Sequence, residues 1–174
     1  MSNVPPVVCI GGSSKAGKIT FLEKLIFEFK KRGYRVGTIK HHCDEFEVDW
    51  AGKDSWRHTQ AGADAVCISA PQKIAIIKRI EKELPLEEVF PLINDVDIIL
   101  AEGYKGENKP QIEVLAPDAE PAPFQEKIIC IVGSPGGKSR VPCFDSGDAS
   151  GVANLLEKMF LPRLVRSQRK GKNC

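Results

Sequence analysis

Short apolar runs alternate along this chain with longer stretches in which apolar residues recur at helical spacing. Residues 7–11 form the first strand-like run. Residues 18–32 follow with an apolar face whose period is close to 3.6, carried by Phe21, Leu22, Leu25, Ile26 and Phe29. Gly33 stands where the residue after a helix commonly turns left-handed. Alternating strands and helices are typical of βαβ units, so the sequence predicts an α/β fold with a mainly parallel sheet flanked by helices.

The same pattern predicts further strands and one more helix downstream. The predicted strands are residues 35–40, 64–69, 97–102, 111–115 and 127–132, and the predicted helix is residues 149–160. Residues 97–102 are the clearest of these, because a continuous apolar run is typical of a central strand buried on both faces. Residues 74–80 fit a strand or a helix equally well. The proline-rich stretches 117–123 and 134–142 are predicted to be loops.

Composition favours one globular domain rather than two. The chain has 174 residues, of which 42% are apolar and 28% charged, enough for one sizeable core over residues 1–162. Residues 163–174 contain five basic and no acidic side chains and are predicted to form a loose basic tail. The other 20 basic and 23 acidic residues leave the folded part mildly acidic, which argues against nucleic acid as a partner.

Two further observations bear on the cellular environment. No apolar run is long enough to span a bilayer, and the first residues lack the basic segment that opens a secretion signal, so we expect a cytoplasmic protein that does not enter a membrane. The six cysteines include no C-x-x-C pair, and Cys9, Cys67 and Cys130 lie inside apolar strand-like runs. Buried, reduced thiols fit this pattern best.

A glycine-rich segment between the first strand and the first helix matches the pattern G-x-x-x-x-G-K. We call it the phosphate loop; it comprises Gly12, Ser13, Ser14, Lys15, Ala16, Gly17, Lys18, Ile19 and Thr20. Glycines let backbone N–H groups turn towards a polyphosphate, the helix N-terminus adds partial positive charge, and the lysine reaches the outer phosphates. The segment therefore predicts a nucleotide phosphate site.

One residue of the phosphate loop departs from the usual pattern. The position after Lys18 normally carries a serine or threonine hydroxyl that binds Mg²⁺, but here it is Ile19, with Thr20 one place later. A shift of one residue along a helix turns a side chain by about 100°. We therefore expect nucleotide to bind, Mg²⁺ to be held less directly, and hydrolysis to be slow.

A metal-bound triphosphate also needs carboxylates at the carboxyl edge of the sheet, and two candidates carry equal weight. Glu102 ends the predicted central strand and is followed by Gly103. Asp49 opens the string D-W-A-G, the form of a metal-proximal aspartate followed by a phosphate-facing glycine. Asp97 ranks below both, because a residue at the start of its strand is expected to face solvent.

Two other polar strings carry weaker signals. His41, His42 and Cys43 are adjacent, which is the wrong spacing for a closed zinc site. A segment close to phosphate or metal is the better interpretation of residues 40–45. Residues 108–111, N-K-P-Q, echo a guanine-reading N-K-x-D string but lack its carboxylate, and we treat them as a coincidence.

Taken together, the strings resemble one protein family. Their order is that seen in the MobB family, molybdopterin-guanine dinucleotide biosynthesis protein B: the phosphate loop, I-K-H-H at 39–42, V-D-W-A-G-K-D-S at 48–55, A-G-A at 61–63 and A-E-G-Y-K at 101–105. The resemblance covers most of residues 5–160, and its most specific parts are G-K-D-S and E-G-Y-K. The chain departs from the family at Ile19, where relatives carry threonine, and at residues 133–135, where they tend to carry an aspartate.

The resemblance implies a homodimeric P-loop protein that binds GTP with Mg²⁺ and hydrolyses it slowly. Its implied role is to assist the enzyme that joins a guanosine nucleotide to molybdopterin, with molybdopterin or a molybdoenzyme as an additional candidate partner. It further implies that the phosphates are contacted by Gly12, Gly17, Lys18 and Thr20, and that the site is lined by Lys40, His41, Asp49, Asp54 and Glu102. Asp49 and Glu102 are then the expected catalytic carboxylates and, with Thr20, the expected Mg²⁺ ligands.

Two alternative functions stay open. The first is a small P-loop nucleotide or metabolite kinase, but a kinase lid needs arginines, and residues 41–125 offer only Arg57 and Arg79. The second is an interaction module that no longer binds nucleotide, which the intact Gly12, Gly17 and Lys18 disfavour.

Overall fold

The computed structural model describes residues 4–42, 44–93, 95–104, 106–117, 119 and 125–161. The chain forms two compact units, one from Met1–His41 with Leu86–Cys174 and the other from His42–Pro85. The prediction of one nucleotide-binding domain over residues 1–162 stays a prediction. The predicted basic tail, residues 163–174, lies outside the described residues. Within them, no helix is long and apolar enough to cross a membrane.

The first unit is built on a six-stranded parallel sheet in the order β2-β5-β1-β6-β7-β8. Its strands are β1 (Val7–Gly11), β2 (Val36–Lys40), β5 (Ile98–Glu102), β6 (Gln111–Val114), β7 (Ile128–Val132) and β8 (Cys143–Phe144). All five residues of β1 are buried, as expected of a central parallel strand with both faces covered. The five predicted strands of this sheet are confirmed within two residues. Strand β8 was not predicted, because a strand of two residues carries no periodicity.

Two long helices cover one face of this sheet. Helix α1 (Lys18–Lys31) and helix α4 (Ala149–Phe160) confirm the two predicted helices, and Gly33 has the left-handed φ of 85° expected after a helix. The apolar stripe of α1 buries Phe21, Leu25 and Phe29 against the sheet. Burying one such side chain stabilises the fold by about 1.5–3 kcal/mol. The buried stripe therefore fixes how α1 lies on the sheet, and with it the position of the phosphate loop at the start of α1.

A polar clamp centred on Arg32 joins α1 to α4. Its guanidinium lies 2.8 Å from carboxylate oxygens of both Glu28 and Glu157 and donates to Asn154 Oδ1 at 2.8 Å and to the Ser150 carbonyl at 3.1 Å. The Arg32 side chain is only 16% exposed. The planar guanidinium can reach several acceptors at once, which fixes the two helices relative to each other.

The opposite face of the sheet is covered by short helical turns. Helix α3 (Leu86–Val89) continues into a 3₁₀ turn, Phe90–Leu92. Leu86 is fully buried in a cluster whose other buried members are Val7, Cys9, Ile39, Ile99 and Ala101. Both faces of the central strands are therefore apolar, which explains their continuous hydrophobic sequence.

The second unit contains a short helix, α2 (Asp54–Gln60), and a hairpin of β3 (Ala65–Ala70) and β4 (Lys73–Lys78). The two strands pair antiparallel, with Cys67 opposite Ile76 and Ser69 opposite Ile74. The ambiguous run 74–80 is thus mostly a strand. Helix α2 was missed by the sequence because it carries no apolar stripe, and none of its residues is buried.

Two sequence predictions are wrong. Cys67 is exposed, because it lies in the hairpin rather than in the sheet core, whereas Cys9 and Cys130 are buried as expected. Asp97 does not face solvent: its side chain is 6% exposed, accepts a hydrogen bond from the Arg35 backbone N–H at 2.7 Å, and lies 3.7 Å from the Arg35 guanidinium. Asp97 thereby connects the start of β5 to the start of β2. Of the two predicted loops, 134–142 separates β7 from β8, and most of 117–123 lies outside the described residues.

Candidate functional site

The phosphate loop leaves the carboxyl end of β1 and enters α1 through left-handed backbone. Gly12, Lys15 and Gly17 have φ values of 133°, 63° and 85°. Gly17 is the N-cap residue of α1, and no side chain caps the helix there. The first turn of α1 also contains no acidic residue. Its free N–H groups and partial positive charge are therefore available to an anion.

Close packing against β6 explains the two glycines where β1 meets the loop. A Cβ on Gly12 would overlap the backbone carbonyl oxygen of Val114. A Cβ on Gly11 would overlap the side-chain amide of Gln111 and come within 2.8 Å of Glu113 Oε2. The path of the loop is thus determined by a neighbouring strand as well as by its own φ angles.

Lys18 lies across the phosphate loop. Its Nζ donates hydrogen bonds to the carbonyl oxygens of Ser13, at 2.7 Å, and Gly12, at 3.1 Å. Within the loop, Ala16 is buried in the core, whereas Ile19 is 53% exposed and Thr20 is exposed. At the start of α1 the loop therefore presents the ammonium group of Lys18 and the hydroxyl of Thr20, and between them an apolar side chain, Ile19, that cannot ligate a metal.

Three further predicted site residues lie at the same edge of the sheet. Lys40 and Glu102 end the adjacent strands β2 and β5, with Lys40 Nζ 3.6 Å from Glu102 Oε2. Glu102 is also the register partner of Ile10 in β1, which leads into the phosphate loop. The His41 backbone N–H donates to the Glu102 carbonyl at 2.9 Å. The structure thus brings the loop, Lys40, His41 and Glu102 to one edge, where ligands of open α/β folds bind.

A turn after Glu102 holds His41 in place. Gly103 has a φ of 96°, and a Cβ there would come within 2.7 Å of the His41 Cβ. Tyr104 follows with a φ of 49°, which is rare for a bulky residue, and its ring packs on the His41 ring at a centroid distance of 4.6 Å. Tyr104 was not among the predicted site residues, although it belongs to the string E-G-Y-K.

Asp49 and Asp54 lie in the second unit. One carboxylate oxygen of Asp49, Oδ1, accepts the backbone N–H of Trp50 at 2.8 Å, while Oδ2 is buried with no hydrogen-bond partner among the described residues. An orphaned carboxylate oxygen is costly and suits a cation or a donor group. Asp54 is exposed in the first turn of α2, where negative charge is favoured.

Carboxylate oxygens are the ligands that a hard cation such as Mg²⁺ prefers. Glu102 lies at the phosphate-loop edge of the first unit, and Asp49 lies in the second unit. No group of three histidine, cysteine or acidic side chains with metal-binding geometry occurs in the described ranges. In the N-K-P-Q string, Gln111 replaces the aspartate that reads guanine, and it is buried in β6, where its Nε2 donates to Glu113 Oε2 at 2.8 Å. This buried pair was missed because strand alternation alone does not identify polar pairing.

The parallel sheet, the glycine loop after its first strand and the lysine opening the next helix define a protein with the P-loop NTPase fold. The family model described as molybdopterin guanine dinucleotide synthesis protein B, MobB, matches residues 7–134. The chain belongs to the MobB family, which confirms the resemblance drawn from its sequence.

Individual relatives agree with this membership. The chain is 39% identical over 114 residues to the molybdopterin-guanine dinucleotide biosynthesis adapter protein of Haemophilus influenzae, a match that spans 64% of each chain. It is 30% identical over 159 residues to the protein of the same description from Escherichia coli, spanning 87% of this chain and 91% of that one. The crystal structure of Bacillus subtilis MobB superposes with a TM-score of 0.71 at 25% identity, covering 89% of this chain and 98% of that one.

Proposed function

We propose that this chain is a GTP-binding adapter in molybdopterin guanine dinucleotide synthesis. The relatives from H. influenzae and E. coli are described as adapter proteins of that biosynthesis. The observation that carries the proposal is the phosphate loop, with its left-handed glycines, the uncapped N-terminus of α1 and the ammonium group of Lys18. This arrangement selects a polyphosphate by charge and by backbone hydrogen bonding.

In this proposal some residues of the chain bind the phosphates and others hold a Mg²⁺ ion that compensates the phosphate charge. Backbone N–H groups of residues 13–18 would hold the β- and γ-phosphates, and Lys18 would exchange its two carbonyl acceptors for phosphate oxygens. Within the first unit, Glu102 and the hydroxyl of Thr20 are the proposed Mg²⁺ ligands, directly or through water. Asp49, in the second unit, stays a prediction from the sequence. The ion would neutralise phosphate charge.

Slow hydrolysis follows from the residues around this loop. Ile19 supplies no hydroxyl to Mg²⁺, and Glu102 is paired with Lys40. A nucleotide held without fast turnover suits a protein that binds partners in its GTP form. The proposed partner is the guanylyl-transferring enzyme, with molybdopterin or a molybdoenzyme as the additional candidate.

We also propose a homodimer formed through the hairpin of the second unit. Cys67, Ile74 and Ile76 share one face of the hairpin by its register, and the two isoleucines are 63% and 67% exposed. Both strands have a free edge among the described residues, and a lone two-stranded sheet is marginally stable in water. A second copy of the hairpin can complete such a sheet.

The test of nucleotide binding is isothermal titration of GTP and of ATP, with and without Mg²⁺. We expect GTP to bind more tightly than ATP, and Lys18→Ala to weaken GTP binding by about tenfold or more, the cost of a lost charged hydrogen bond. Lys31→Ala is the matched control, because Lys31 is exposed at the far end of the same helix. Equal affinity for both nucleotides together with rapid phosphoryl transfer would identify a kinase. No binding of either nucleotide would identify an interaction module that no longer binds nucleotide.

The dimer is tested by sedimentation. Ile74→Lys with Ile76→Lys should convert a dimer to a monomer, because the charges would be desolvated in the contact. Leu92→Lys is the control, since Leu92 is 73% exposed in the first unit. A wild-type monomer at high concentration, or a dimer that resists the double substitution, contradicts the hairpin as the contact.

A further inference from the structure

The segment 44–50 of the second unit alternates acidic and apolar residues. Its sequence is D-E-F-E-V-D-W, with large apolar side chains at Phe46, Val48 and Trp50 and acidic ones at Asp44, Glu45, Glu47 and Asp49. No lysine or arginine occurs between His42 and Lys53. In an extended conformation successive side chains point to opposite faces, so the pattern from residue 45 to residue 50 separates an apolar face from an acidic one.

The structure leaves the apolar residues of this segment in solvent. Phe46, Val48 and Trp50 are 68%, 65% and 79% exposed. The only ring near Phe46 among the described residues is that of His42, at a centroid distance of 6.3 Å. Three large apolar side chains at alternate positions of one short segment exceed the scattered exposure that is normal for a protein surface.

The backbone of the segment is also available. Residues 45–48 belong to no helix or strand and make no backbone hydrogen bond within the described part of the chain. Such a segment can add as a strand to the edge of another sheet, where backbone hydrogen bonds give affinity and alternate side chains enter pockets. Aromatic side chains are the commonest anchors in such contacts.

The negative charge of the segment indicates which kind of partner it can bind. Asp44, Glu45 and Glu47 are exposed, so the segment repels the phosphates of nucleic acids and of anionic lipid surfaces. It attracts a surface on which lysines and arginines surround an apolar groove. We propose that residues 44–50 form a docking strand for a protein partner with an apolar groove rimmed by basic residues. This inference rests on the proposed adapter function, because the partner is then the guanylyl-transferring enzyme.

Binding of the purified guanylyl-transferring enzyme from the same organism to the full chain, with GTP and Mg²⁺ present, tests the inference. Phe46→Ala with Val48→Ala should raise the Kd about tenfold or more, and Trp50→Ala should do so alone. Phe27→Ala with Leu92→Ala is the matched control, because these residues are 71% and 73% exposed outside the segment. The control should bind like the wild type.

A charge series separates the acidic face from the apolar one. Glu45→Lys with Glu47→Lys should slow association and weaken binding, and the wild-type Kd should rise as NaCl is raised from about 50 to about 500 mM. Glu23→Lys with Glu81→Lys makes the same change in net charge at exposed positions elsewhere and should leave the Kd almost unchanged. Equal effects of the two charge pairs would overturn the proposal, because they would reflect net charge alone.

GTP affinity and sedimentation, measured on the same samples, distinguish this inference from the proposed function. Partner binding that is unaffected by the alanine variants overturns the docking strand and leaves the adapter function standing. Failure of the wild type to bind the enzyme overturns both the strand and the proposed partner, while tight GTP binding would still support the nucleotide site. Loss of GTP affinity in the alanine variants, or conversion of a dimer to a monomer, would assign the segment to the nucleotide or to a second copy and overturn the proposal.

Discussion

Gly12→Ala adds a methyl group at the point where the phosphate loop passes closest to β6. The new Cβ would overlap the Val114 carbonyl oxygen, a backbone atom that can move only with its strand. Gly12 also has a φ of 133°, which side-chain-bearing residues rarely adopt. The substitution therefore carries a steric cost and a conformational cost at the same residue.

The size of the effect follows from these two costs. Backbone strain of this kind costs about 1–3 kcal/mol, and forcing an extra methyl group into packed surroundings costs about 1–3 kcal/mol more. We expect the free energy of unfolding to fall by about 2–6 kcal/mol, a large share of the 5–15 kcal/mol roughly typical of a domain. Gly17→Ala should cost only about 1–2 kcal/mol, because its φ is 85° but no atom lies within 4 Å of the added Cβ.

Urea denaturation followed by far-UV circular dichroism measures this difference. The signal comes mainly from α1 and α4, which belong to the same unit as the phosphate loop. Tryptophan fluorescence is unsuitable, because both tryptophans lie in the His42–Pro85 unit. Gly136→Ala is the neutral control: its Cβ meets nothing and its φ is not positive, so stability should change by less than about 0.5 kcal/mol.

The comparison of Gly12 with Gly17 decides whether the reasoning holds. Equal losses of stability in the two variants would show that β6 does not constrain the loop and that φ strain alone matters. A Gly12→Ala protein as stable as the wild type would refute both the steric cost and the conformational cost. GTP affinity should fall in both variants, because each disturbs the N–H groups that we propose to bind the phosphates.

Three further predictions concern the loop, the helix clamp and the thiols. Ile19 is 53% exposed, so a threonine can replace it without disturbing the core. Ile19→Thr should raise GTP turnover and the Mg²⁺ dependence of GTP affinity by about tenfold or more. Unchanged turnover in kinetic assays and an unchanged Mg²⁺ dependence in titrations would contradict our interpretation of Ile19. Hydrogen bonding by Arg32 lowers the pKa of Glu28, so this contribution to stability is present above the ordinary pKa of glutamate and is lost as pH falls through the lowered value. The free energy of unfolding of Arg32→Ala should therefore lie furthest below that of the wild type near neutral pH, and the two should converge in acid. A difference in stability that does not change with pH would contradict a charged interaction between Arg32 and Glu28. Burial raises the pKa of the Cys130 thiol to about 12, so at about pH 8 a disulfide reagent should label exposed Cys143 rapidly and Cys130 only after denaturation, as mapped by mass spectrometry.

The candidate site was partly predictable from the sequence. The phosphate loop and Glu102 could be placed because glycine spacing and the end of a buried strand are local features. The pairing of Lys40 with Glu102 was not predicted, because it depends on β2 lying next to β5 in the sheet. The packing of Tyr104 on His41 was not predictable, because it depends on the left-handed turn between β5 and the following segment.

Sequence alone determined the parallel core, the first helix and the phosphate loop, because periodicity and glycine spacing act over a few residues and are written locally. Only the tertiary structure decided the strand in the run 74–80, the exposure of Cys67 and the burial of Asp97 beside Arg35. Those outcomes depend on which distant segment lies next to each residue. The same holds for Gly12, whose need for glycine depends on the carbonyl of Val114 in β6, about a hundred residues away along the chain.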